Sequence, residues 1–216
     1  MAPSTIIALV GLLGLVHGAC ISGGNQDTIN QLFQSGGADT IVQLCPGSTI
    51  DISDSVVFTA AGQEISTQGY PTDSTRATII IQPGTNATSA IRGNWQNNVR
   101  VLNIQVDGNR PNAGLFVGDA LLEMGGGTTG QTVSHIVAKN TRSWSCMHFI
   151  ESGIDSQPCK GASITFNEIG PCGDEGVSSQ NQAQWADGMS IACTASTVTD
   201  NTVRNNKVFE VARNLY

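Results

Sequence analysis

Charge is scarce in this chain of 216 residues: only 12% are Asp, Glu, Lys or Arg. That argues against long surface helices, whose outer faces need charged or strongly polar residues. Positive charge is the scarcer sign. Lys and Arg number 10 against 17 Asp and Glu, a net charge of −7. A nucleic-acid partner is disfavoured, because no surplus of Lys and Arg is there to neutralise phosphates. A polyanion would need a metal or a local basic patch to bind tightly. Long apolar runs are missing too. Residues 6–16 are apolar apart from Gly11 and Gly14, too short for a comfortable membrane span. No Cys-x-x-Cys occurs, which removes the usual pattern of a structural zinc site.

What is there favours short strands and many turns. The chain has 25 glycines and is rich in Ser, Thr and Asn, the residues of turns. Its length suits one domain with a sizeable core. Residues 1–18 read as a signal peptide: an apolar stretch followed by small residues, with cleavage expected after Gly18 and Ala19 as the other candidate. The body, 19–216, is then secreted and extracellular. Six cysteines, Cys20, Cys45, Cys146, Cys159, Cys172 and Cys193, predict three disulfides in an oxidising compartment. Pairing of sequence neighbours would join Cys20 to Cys45, Cys146 to Cys159 and Cys172 to Cys193. Asn86-Ala87-Thr88 is an N-glycosylation sequon suited to a surface loop.

Residues 27–33 form the best helix candidate. Asp27 is placed to cap it, and Ile29, Leu32 and Phe33 fall on one face. Such a short amphipathic helix would cover an open hydrophobic end. Strand signals follow at residues 40–44, 48–52, 56–59 and 77–82. The second half repeats. Val101, Val133, Ile164 and Val198 head the repeats at steps of 32, 31 and 34 residues. Three residues on come Ile104, Ile136, Asn167 and Asn201. Two further come Val106, Ala138, Ile169 and Val203. A second strand family lies between them, at 121–124, 147–150 and 188–192. A repeat this short cannot bury a core alone, so each strand must pair with its counterpart one coil away. The Asn at the bend suits left-handed backbone geometry and a hydrogen bond to the Asn above it.

The block from Asp187 to Val203 (DGMSI…STVTDNTV) and the opening DTINQLFQSGGADTIVQLCPGSTIDI resemble the pectin-lyase-like superfamily. The resemblance implies an all-β fold: a right-handed, single-stranded parallel β-helix with a short N-terminal capping helix. It covers most of the mature chain and looks like the secreted form of filamentous fungi. Only ten residues follow Asn206, so the tail reads either as a natural cap or as the sign of a C-terminally incomplete relative. The superfamily hosts lyases, hydrolases, epimerases and adhesins, and fold alone does not choose among them. The Asn-Thr-Asp, Asp-Asp, Gly-His-Gly and Arg-Ile-Lys set of polygalacturonases is absent, as is the Trp-Ile-Asp-His signature of pectate lyases.

Candidate site residues come from the loops, which can grow without disturbing the core. Asp174 and Glu175 offer an acid and a base for glycoside cleavage or hard ligands for a metal; a solvated turn is the bland alternative. Asp187 offers a nucleophile or a cation ligand, or is a turn residue. Alternation of Met147 and Phe149 turns His148 outward toward a cleft. Alignment of Trp144 with Trp185 instead places Cys146 opposite Asp187 and His148 opposite Met189, which would bury it. Trp144 and Trp185 are candidate sugar platforms. Arg142 and Lys139 are candidate contacts to a sugar acid, or solvated surface residues. A uronate lyase needs a cation or Arg to acidify the C5 proton and a base to remove it. No cofactor is expected, except calcium if the protein is such a lyase. The expectation is thus a monomeric, secreted polysaccharide lyase or glycoside hydrolase acting on an acidic or plant-wall glycan. The alternatives are a non-catalytic binder of glycans or surfaces and a β-helix recruited to small-molecule biosynthesis.

Overall fold

The computed structural model describes residues 19–150, 158–173, 176–184 and 187–205. Residues 1–18, which the sequence reads as a signal peptide, and residues 206–216 lie outside these.

The chain winds as a parallel β-helix. Two six-stranded parallel sheets and one five-stranded parallel sheet run along its axis. The third coil shows the order. Arg100–Leu102 lies in the first sheet, Ile104–Asp107 in the second and Leu122–Gly125 in the third. Each strand pairs with its counterpart one coil away. The repeat is therefore a register: Val101 pairs with Val133, Val133 with Ile164 and Ile164 with Val198. Val106, Ala138, Ile169 and Val203 align in the second sheet in the same way.

Inward positions stack into aliphatic columns. The first sheet supplies Val42, Ile65, Val101, Val133, Ile164 and Val198. The second supplies Ile50 and Ile79 beneath Val106. The third supplies Val56, Ile91, Leu122, Met147 and Met189. Most of these side chains are fully buried, and each such aliphatic is worth about 1.5–3 kcal/mol. One strand escapes a sequence reading. Glu64–Thr67 is buried throughout but carries a single aliphatic, Ile65, so it shows no alternation of apolar residues.

The bends between sheets use left-handed backbone. Asp39, Gly62, Asn98, Gly130, Gly161 and Ala195 have positive φ and turn the chain into the first sheet. Asn103, His135, Phe166 and Asp200 do the same between the first and second sheets, at φ of 51°, 55°, 57° and 57°. The left-handed residue is thus the one before Asn167 and Asn201, not the asparagine itself. Those two side chains do stack as expected. Asn167 Nδ2 donates to Asn201 Oδ1 at 2.9 Å and to the Val133 carbonyl at 3.0 Å. Asn167 Oδ1 accepts from the Ile136 amide at 3.1 Å.

The capping helix spans Gln26–Gly36. Its N-cap is Asn25, not Asp27: Asn25 Oδ1 accepts from the amides of Asp27 and Thr28 at 3.0 and 3.4 Å. Asp27 lies in the first turn, where its charge suits the helix dipole. Ile29 and Phe33 are buried, while Leu32 is 42% exposed and does not share their face. Phe33 packs on Phe58 with ring centroids 5.0 Å apart. Asn25→Ala should cost about 1 kcal/mol through the lost cap, read as a lower denaturant midpoint with an unchanged slope.

Three disulfides form, with only one of the neighbour pairings. Cys20 joins Cys45, but Cys146 joins Cys172 and Cys159 joins Cys193. The reason is the winding. Residues one full coil apart stack, whereas sequence neighbours within a coil diverge. Cys159 and Cys193 are direct register partners, with Cα atoms 4.5 Å apart.

Candidate functional site

The third sheet carries one outward column of unusual chemistry. Leu122, Met147 and Met189 point into the core, so their neighbours Glu123, His148 and Ser190 point out. Pairing aligns Arg92, Glu123, His148 and Ser190 on four successive coils. His148 Nδ1 lies 3.2 Å from Glu123 Oε1. Glu123 Oε2 accepts from the Ala120 amide at 3.0 Å, which fixes the carboxylate. The Trp144 ring meets the imidazole edge-on, with centroids 4.4 Å apart and an interplanar angle of 71°. On the coil before Glu123, Arg92 forms an ion pair with Asp119. The Glu123 and His148 side chains are only 7% and 8% exposed, while those of Arg92 and Asp119 are 37% and 50% exposed. An imidazole held by a carboxylate is the arrangement of a general base. A guanidinium on the same face, one rung from Glu123 and two from His148, is suited to a developing oxyanion.

His148 therefore lies on the outward strand face, as alternation predicts, but it is covered rather than open to a cleft. The tryptophan alignment fails by one residue: Ser145, not Cys146, lies opposite Asp187, and Ser190, not Met189, lies opposite His148. A slip of one residue exchanges the two faces of a strand. Asp187 has the parity of Met189 and Ile191, so strand pairing does not bring it to the face of His148. Its amide donates to the Trp144 carbonyl at 2.8 Å. Asp174, Glu175 and Trp185 lie outside the described residues.

Arg142 is neither a solvated surface residue nor an open sugar contact. It is 2% exposed. Its guanidinium donates to the carbonyls of Thr85, Ala87, Ala113 and Gly114 at 2.7–3.0 Å. Burial pushes its pKa below the ordinary arginine value. Lys139 lies on the second sheet, 3.4 Å from Asp107, away from the Glu123–His148 column. Asn86 is exposed, on the wall of an open cavity of about 470 Å³ that Arg142 and Phe116 also line. Among the described residues, no cluster of three His, Cys, Asp or Glu side chains is placed to hold a metal ion, and no helix is long and apolar enough to cross a membrane.

A sequence reading misses Glu123, Arg92 and Asp119. The signal for Glu123 was present: it lies between Leu122 and Met124, as His148 lies between Met147 and Phe149. Only 25 residues separate Glu123 from His148, short of the steps of 32, 31 and 34 residues that align Val101, Val133, Ile164 and Val198, so spacing hides the pair. No protein-family model matches the chain, and no curated protein or solved structure matches it either.

Proposed function

We propose that the protein is a secreted, monomeric polysaccharide lyase of the pectin-lyase-like superfamily, in its fungal form, acting on a uronate-containing glycan. The reading rests on one observation, the buried Glu123–His148 pair with Arg92 on the adjacent rung. In this scheme His148 removes the C5 proton of a uronate. Arg92 binds the sugar carboxylate and stabilises the charge that builds on it. Expulsion of the C4 glycosidic oxygen, which takes a proton from water as it leaves, then gives a 4,5 double bond at the non-reducing end of one product and a new reducing end on the other. Glu123 orients the imidazole and stabilises its protonated form. Trp144 fixes the ring plane. The lyase is preferred to the hydrolase because a glycosidase needs two carboxyl groups across the scissile bond, whereas this column offers a carboxylate bound to an imidazole.

The competing reading is a non-catalytic glycan binder. It draws on the low exposure of His148 and Glu123, at 6% and 5%. A panel of acidic and neutral polysaccharides separates the two, with and without added calcium. Ultraviolet absorbance of unsaturated uronates is the expected result. Reducing ends without that absorbance would mean hydrolysis. Silence in both assays with retention on a glycan array would mean a binder.

A further inference from the structure

The cavity beside Arg142 lies apart from the Glu123–His148 column and plays no part in the proposed chemistry. Its volume, about 470 Å³, falls within the roughly 300–1,000 Å³ range of small-ligand sites. Its wall mixes apolar side chains, Leu115, Phe116 and Val177, with polar Thr85, Asn86 and Ser179. Val177 is 66% exposed. One wall residue is itself the sequon asparagine.

We propose that this cavity is the seat of an N-linked glycan carried by Asn86, whose first sugars pack against Phe116 and Val177. The anchor is rigid. Arg142 Nη1 donates to both carbonyls that flank Asn86, those of Thr85 at 2.8 Å and Ala87 at 2.7 Å. The same guanidinium lies 5.3 Å from the centre of the Phe116 ring, and the Phe116 amide donates to the Arg142 carbonyl at 2.9 Å. One buried residue thus fixes both the attachment point and the aromatic surface beside it. A pre-placed anchor spares the sugar most of the ordering cost of binding. Sugar rings have apolar faces that suit an aromatic ring and a valine. Their hydroxyls suit Thr85 and Ser179. Covering Val177 and Phe116 also shields an apolar patch that would otherwise face water in a secreted protein.

The inference rests on the secretory part of the proposed function and not on its chemistry. The test uses the full chain secreted from a eukaryotic host. Intact mass should show a glycan that Asn86→Gln removes. Enzymatic deglycosylation of the wild type should lower Tm by about 2–4 °C, as expected for the loss of a modest contact in a domain of this size. In Phe116→Ala the same treatment should leave Tm unchanged. Release of the glycan from native protein by peptide:N-glycosidase should be slow in the wild type and faster in Val177→Ser, an exposed substitution that keeps the test valid if Phe116→Ala does not fold. Three results would overturn the proposal: an unmodified Asn86, an equal Tm shift with and without Phe116, or equal release rates in wild type and Val177→Ser. Asn86→Gln should keep polysaccharide turnover, so a failure of the lyase reading is seen separately.

Discussion

Glu123→Gln should lower turnover on a uronate polysaccharide by roughly 10²–10⁴-fold while the protein stays folded. The argument turns on two hydrogen bonds. In the wild type, Glu123 Oε2 accepts from the Ala120 amide, and Oε1 faces His148 Nδ1. A carboxylate only accepts, so Nδ1 carries a proton and the basic lone pair lies on Nε2. In the variant the Ala120 amide still needs an acceptor and holds the amide oxygen. The side-chain NH2 then faces Nδ1 and turns it into an acceptor. The ring proton moves to Nε2, and the base is lost without any change of shape. The expected signature is a fall in kcat with little change in KM, because substrate binding falls to other groups. His148→Gln should show a similar loss. Ser190→Ala, in the same column one coil on, should lose far less. Tm and far-UV spectra of all three serve as folding controls. Unchanged turnover in Glu123→Gln would remove the pair from the mechanism.

Asn167→Ala should destabilise the protein by about 3 kcal/mol, since each buried group left without its partner costs about 1–3 kcal/mol. Asn167 is 1% exposed. Its side chain serves the Ile136 amide, the Val133 carbonyl and Asn201 Oδ1. Alanine would leave the first two buried between coils without the amide that serves them. With about 2–4 °C of Tm per kcal/mol in a domain of this size, thermal unfolding should begin some 6–12 °C lower. Asn201→Ala is the internal comparison. Asn201 lies one coil nearer the end of the stack and is partly exposed, so water can serve some of its partners and the loss should be smaller. Equal losses at both positions would show that burial of the ladder does not set its strength. A reading based on packing volume alone would fail if Asn167→Leu, which fills the space without bonding, were as destabilising as alanine.

The two expected effects sit at different distances from the sequence. The asparagine ladder was legible in it. Asn167 and Asn201 fall at the same place in the repeat as Ile104 and Ile136, and from Val101 onward the arc joining the first and second sheets has a fixed length. Val101 to Val198 and Val106 to Val203 could therefore be aligned by counting. Only the detail of the bend was misplaced, because the left-handed residue precedes the asparagine. The capping helix was legible for a similar reason. Its apolar spacing and end signals are local, although Asn25 rather than Asp27 proved to be the cap.

The site was only half legible. His148 stood out as a candidate base, but its partner did not. Loops of unequal length enter the third sheet, so the register there cannot be counted. Trp144 and Trp185 offer a false alignment, off by one residue, and with a period of two that error exchanges inside for outside.

By itself, the sequence determined the repeat from Val101 to Val203, its parallel stacking and its aliphatic columns, because a side-chain period of two and nearly equal steps of 32, 31 and 34 residues can be counted along the chain there. Tertiary structure alone decided which cysteines join, that Glu123 meets His148, and that Arg142 spends its donors on four backbone carbonyls. Each of these joins residues on different coils or loops, and only the winding of the chain brings such residues together.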